Sequence, residues 1–306
     1  MTPAIARRLN LALIAGVYAS VIALVAAGAR APWWGALALG VVLSFVLLTN
    51  YALMHEAMHD VLHPDPAANR LLGAACGVLF PAAFTMFKVG HAVHHRCNRT
   101  DHEMFDIYYP GDSRLLKYGQ WYGLLTGAYY PLVPIGSILL AISPRLLQTT
   151  PFRKSRTSSL IFRAYDRDAV NRIRMEVGAA LVFWWGMVTW LEPDLVNLAL
   201  MYACFGFNWS TRQYVTHAFT PRDVVNGALN LKVGRVMGWI LLNGQWDLVH
   251  HRKPWLPWTE LASEGPASAP PVGFWTQYLR LWGGPRPATG PGPAPLAEEP
   301  RPAAGG

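Results

Sequence analysis

Charge is what this sequence has least of. Asp, Glu, Lys and Arg make up 14% of its 306 residues, against about 25% in soluble domains. Hydrophobic residues reach 52%, a balance that excludes an ordinary water-soluble domain and suits a bilayer. Cysteine is nearly missing. Cys76, Cys97 and Cys204 are too few and too scattered for a disulfide framework, a CxxC metal site or an iron–sulfur set. Acidic residues are outnumbered 18 to 26, for a formal charge of +8. The cations flank apolar runs, so the excess reads as membrane topology and not as nucleic-acid binding.

What is present is aromatic and imidazole. Thirteen Trp and twelve Tyr suit interfacial belts. Seven of the ten histidines fall in three short clusters, His55-Glu-Ala-Met-His59, His91-Ala-Val-His94-His95 and Asp247-Leu-Val-His250-His251, with His217 standing alone between the last two. On a helix, positions four apart share a face, so His55 and His59 can aim two imidazoles at one point, as can His91 with His94 or His95. Neutral imidazole suits iron, copper, zinc and nickel. This many argues for more than one ion.

Hydropathy gives the frame. Leu9–Gly28 is longer than a signal-peptide core and is followed at once by a second run, so it reads as a first transmembrane helix. Trp33–Met54 is the second, continuing past the bilayer edge to carry His55 and His59. Leu71–Phe87 and Trp121–Ile142 are apolar but broken by Gly or Pro. Both link stretches that belong on one side, so each is expected to dip in and return or to lie on the surface. Pro144–Arg174 carries eight cations: Arg145, Arg153, Lys154, Arg156, Arg163, Arg167, Arg172 and Arg174. Val177–Leu191 and Leu195–Ser210 follow as short third and fourth spans around Glu192-Pro193-Asp194, and positive-inside orientation puts residues 88–174 and 211 onward in the cytoplasm. The expected fold is an all-α integral membrane protein of four transmembrane helices, with a cytoplasmic helical cap carrying a histidine-rich dimetal site. Residues 1–262 form the catalytic domain, and 263–306 a disordered Pro/Ala/Gly-rich tail.

In this order and on this hydropathy, HxxxH, HxxHH and xxxHH resemble the membrane fatty acid desaturase and hydroxylase superfamily, over about residues 30–260. The resemblance implies two non-haem irons, with O2 as co-substrate, held by His55, His59, His91, His94, His95, His217, His250 and His251. His217 stands where a histidine past the last span completes the family's set. Asp247 departs from the His or Gln that leads the third cluster in many desaturases. It either binds metal directly or orients a neighbouring imidazole. The implied reaction is O2-dependent desaturation of a fatty acyl chain. Alternatives within the superfamily are a hydroxylase, a carotenoid oxygenase or ketolase, and an alkene-forming fatty acid decarboxylase. Two electrons per turnover must come from outside, since His63-Pro-Asp lacks the His-Pro-Gly-Gly of a fused haem domain. A small acidic ferredoxin on the arginine-rich face is the expected donor, and a lipid-soluble substrate the other partner.

The remaining polar groups read as supports. His63 and His102 are expected outside the ligand set, Cys97 is a bystander, and Asp60, Asp101, Glu103 and Asp106 are candidate acceptors for outer imidazole N–H groups. A histidine-based metal transporter would place ionisable groups at mid-membrane depth, whereas these histidines lie beyond the span ends. Glu56 makes the first cluster match HExxH, the signature of a zinc hydrolase, which leaves the other two clusters unexplained. The arginine excess, 21 to 5 over lysine, and the absence of targeting signals suit a bacterial inner membrane.

Overall fold

The computed structural model describes residues 4–145, 160 and 164–297. Helix α1 (Arg7–Gly28) turns through Ala29–Pro32 into α2 (Trp33–Met58). Twenty-six residues at about 1.5 Å each make α2 ~39 Å long, some 9 Å beyond a hydrocarbon core of about 30 Å. An α2 entering at Trp33 therefore delivers its last turn, with His55, to the far edge. The helix stops at His59, and Asp60 takes a left-handed φ of 60°.

Helix α3 (Pro66–Leu79) starts on an Asp65 side-chain cap with Pro66 in its first turn. A bend of 103° then leads into α4 (Phe84–Cys97), which carries the second cluster. The bend is compatible with a broken span as well as with a dip and return. The apolar stretch after Trp121 divides between α5 (Arg114–Leu125) and α6 (Leu132–Ile142). Helix α7 (Arg167–Leu191) ends on left-handed Glu192, and Asp194 caps α8 (Leu195–Ser210) through the N–H groups of Val196 and Asn197.

Helix α2 is the centre of the bundle, with Leu43, Leu47, Leu53 and Met54 fully buried. Helix α8 approaches it closely at Gly40, where an added Cβ would lie 2.8 Å from the Met201 Cα. Small residues allow this backbone approach where lipid supplies no hydrophobic drive between helices. The Asp194 N–H donates to the Ala29 carbonyl at 3.3 Å, and Asn197 Nδ2 reaches the carbonyls of Gly28 and Ala31 at 3.2 and 2.9 Å. The α1–α2 and α7–α8 turns are thus level, at the end away from the histidines. Trp33, Trp34 and Trp190 are exposed there, while Val41, Val42, Leu181, Val182 and Val196 expose an apolar flank.

Among the described residues, α1 and α2 are long and apolar enough to cross a bilayer, and α3 with α4 would add a third only as one broken span. The expected third and fourth spans are helical but fall short of that test. The chain is nonetheless an integral membrane protein by its apolar helices. Arg153, Lys154, Arg156 and Arg163 lie outside the described residues, while Arg167, Arg172 and Arg174 are exposed at the start of α7.

The last third is shaped by short elements: α9 (Arg235–Ile240), α10 (Asp247–Arg252), α11 (Trp258–Ser268) and α12 (Phe274–Leu281). Strand β1 (Ile107–Tyr108) pairs in parallel with β4 (Arg286–Pro287), and β2 (Leu231–Lys232) with β3 (Val272–Gly273). The disordered tail expected from residue 263 is corrected for 263–297. Gly265 packs against the Trp246 ring, Leu281 is fully buried, and the Leu296 N–H donates to the Arg96 carbonyl at 2.9 Å. Tertiary burial overrides the Pro/Ala/Gly composition.

Candidate metal centre

The three clusters arrive from α2, α4 and α10, and His217 from the irregular turn after α8. All eight histidines converge in one continuous nest. His59 Nε2 lies 2.8 Å from His91 Nε2, His95 Nε2 lies 3.0 Å from His91 Nε2 and 3.1 Å from His250 Nε2, and His94 Nε2 lies 3.2 Å from His251 Nε2. Nitrogens this close need a shared proton or a cation between their lone pairs. Two imidazole nitrogens about 2.1 Å from one metal and at right angles to each other are about 3 Å apart, so the spacing fits shared ions.

Two groups separate, each with ligand atoms within 4.8 Å of one another: His55, His59, His91 and His250, and His94, His217 and His251. His95 belongs to neither group and stands between them, its Nε2 beside His91 and His250 of the first and its ring stacked on His251 of the second at 4.4 Å. Asp247 belongs beside the second. Its Oδ2 is 3.2 Å from His217 Nε2 and 4.0 Å from His251 Nε2, buried and without a hydrogen-bond partner. A buried, unpaired carboxylate oxygen is costly in the absence of a cation. The donor set, imidazoles with one carboxylate, fits iron, as it fits zinc, copper or nickel.

Burial also sets protonation. It pushes His250 and His251 well below the ordinary histidine range, with neighbouring imidazoles adding to the effect. Burial lowers His217 too, although Asp247 opposes it. Neutral rings are the form that binds metal.

The supports are unequal. Of the four acidic candidates, Glu103 meets a ligand ring, with Oε1 2.6 Å from His94 Nδ1, and leaves His94 Nε2 for the centre. Asp60 pairs with Lys88, Asp101 with Arg222, and Asp106 with Arg99. His63 Nδ1 accepts from the Asp65 N–H, the His102 N–H donates to Thr100 Oγ1, and buried Cys97 joins neither group. Glu56, the base that an HExxH hydrolase would need, accepts instead from the Trp258 N–H at 2.9 Å and joins neither group.

A buried network that the sequence did not announce secures His217. Arg99 Nη1 donates to Asp106 Oδ1 at 2.6 Å and to the Tyr214 hydroxyl at 3.1 Å, and Nη2 donates to the Thr220 carbonyl. Asp106 Oδ2 accepts from the Phe219 N–H, and Gln277 Nε2 donates to the Ala218 carbonyl. The links from Arg99 and Asp106 to Tyr214, Phe219 and Thr220 each span more than a hundred positions, so no local spacing reveals them. At the other end of the nest, Thr85 gives its N–H and hydroxyl to Glu176 at 2.8 and 2.6 Å, which ties the first turn of α4 to α7.

The family pattern described as Fatty acid desaturase matches residues 31–280. No curated protein matches the chain.

Proposed function

Because the chain belongs to the fatty acid desaturase family, an oxidoreductase family of lipid substrates, we propose that it is a membrane diiron enzyme that desaturates an acyl chain with O2. The observation that carries the reading is the double histidine group at the membrane-exit end of α2. His55, His59, His91 and His250 would hold one iron and His94, His217 and His251 with Asp247 the other, His95 lying between them. Two irons so held supply the activation of O2 that an unactivated C–H bond requires.

The balance is R–CH2–CH2–R′ + O2 + 2 electrons + 2 protons giving R–CH=CH–R′ + 2 H2O. The chain's own residues bind, orient and exclude water. Glu103 accepts a hydrogen bond from the His94 Nδ1–H and so fixes that ring's tautomer. Asp247 places one negative charge on the second group alone. The burial of His250 and His251 keeps bulk water from the centre. Helices α7 and α8 complete four spans, the turns at 29–32 and 192–194 facing the outside and the histidines the cytoplasm of a bacterial inner membrane. The electron donor is a small acidic ferredoxin, drawn to exposed Arg167, Arg172 and Arg174.

The test is product mass. The iron-loaded protein in lipid vesicles, given a reductase, ferredoxin and deuterated acyl substrates, should yield products two deuterium atoms lighter, only with O2 and reductant. Oxygen insertion or loss of CO2 would move the assignment to a hydroxylase or a decarboxylase. No O2-dependent product from fatty acyl or carotenoid substrates would sink it. Turnover should fall steeply as salt rises, and a salt-independent rate would rule out the electrostatic docking.

A further inference from the structure

Helix α12 has the wrong polarity for a helix bathed in water. Its polar Gln277 is buried at 2% exposure, beside buried Phe274 and Leu281. Trp275 and Leu279 face outward at 67% and 65%, followed by Trp282 at 39%. Positions 275, 279 and 282 are spaced i, i+4 and i+7, so they form one outward stripe. Exposed Thr276 and Arg280 flank it.

The place of the helix decides what covers that stripe. Thr211, the residue that caps α8, donates from Oγ1 to the Tyr278 hydroxyl at 2.9 Å, and the Arg212 guanidinium lies 4.8 Å from the centre of the Phe274 ring. One turn earlier on α8, Phe207 is 47% exposed on the apolar flank of the bundle. The α12 stripe therefore continues a lipid-facing surface at the level where α8 ends. On its other side, Trp121 Nε1 donates to the Leu281 carbonyl and the Tyr122 hydroxyl to the Trp282 carbonyl, which locks the helix to α5.

We propose that α12 is a lipid-surface helix, lying in the headgroup layer of the bilayer that holds α1 and α2, with Trp275, Leu279 and Trp282 in the acyl boundary. Trp at the interface and Arg toward phosphate is the composition such helices use. The helix does more than anchor. Through the bond from Gln277 to the Ala218 carbonyl it braces the backbone beside His217. The proposal is independent of which reaction the centre performs.

The test uses the full, metal-loaded chain in nanodiscs. Leu279→Cys in a Cys204→Ser background carries a bimane label, since Cys76 and Cys97 are buried. A second chain carries the label at Val225→Cys, an exposed position near Asp223. Lipids brominated high on the acyl chain should quench the 279 label by roughly half, and aqueous iodide should quench only the 225 label. Iodide quenching at 279 without lipid quenching would overturn the proposal, as would copy-to-copy crosslinking through 279, which would make a second chain the occupant. The unaltered chain gives a check that needs no variant. In oxidative footprinting Trp275 and Trp282 should be protected in nanodiscs, and free reaction at both would again overturn it.

Discussion

The two histidine groups are built by different means. The first takes His55 from a continuous helix and His59 from its cap, and adds His91 from α4 and His250 from α10, all imidazoles. The second takes only one ring from each of its sources. Its His217 rides on a turn, and it is the group next to two carboxylates, Asp247 and Glu103. The first is thus placed by helix geometry and carries no charge of its own. The second shares α4 and α10 with the first but owes His217 to a long-range polar network, and it carries negative charge. Two ions bound there should differ in affinity, in sensitivity to mutation and in the order in which they leave.

The largest effect should come from the residue that spans both groups. In His95→Ala, iron by mass spectrometry of the purified protein should fall toward zero and turnover with it, whereas His55→Ala and His217→Ala should each leave about one iron. Equal losses in all three variants would break the distinction. Next comes Arg99→Met, which strands Asp106 without its partner at 0% exposure. Losing one side of a buried pair costs about 3–5 kcal/mol. Thermal unfolding should register it, and the iron that goes should be the one near His217.

Smaller are Glu103→Gln and Asp247→Asn. Removal of a group that orients a ligand typically weakens metal affinity roughly 10–100-fold, and here only the second ion should be affected. Competition with a chelator, followed by iron spectroscopy, separates the two sites. If Asp247 binds directly, its change should also alter the spectrum of the ion that remains; if it only orients His217, the spectrum should keep its shape.

The mildest effect is that of pH on the metal-free protein. Burial holds His217, His250 and His251 below their ordinary value, which is about 6.5 in an unfolded chain. Below that pH the unfolded state binds more protons than the native one, so stability rises with pH and is lost as pH falls from about 6.5 downward. Melting temperature should decline below this point, while His94, which burial lowers but Glu103 raises overall, opposes the trend in part. A flat profile down to pH 5 would mean that the rings are not buried as described.

The same contrast explains what the sequence could convey. His55, His59, His91 and His95 announce themselves because helical spacing is local, and the helix that presents them follows from a run of apolar residues. His217 stands out through the resemblance alone, and the network of Arg99, Asp106 and Tyr214 that holds its turn carries no periodic signal. Glu103 was one of four acidic candidates of equal standing in the sequence, and only the fold brings it to His94. The segment after residue 263 misled for a related reason. Its order rests on two-residue strands and on Gly265 against Trp246, contacts that leave no trace in a composition rich in Pro, Ala and Gly.

The turns at Ala29–Pro32 and Glu192–Asp194 have a practical consequence. If all four long helices cross, the surface that an impermeant reagent meets on that side of a sealed vesicle amounts to two tight bends, with Arg30, Glu192 and Asp194 as their only charges. A protease added there should leave the polypeptide whole, while the same protease admitted to the opposite compartment should cut it to fragments.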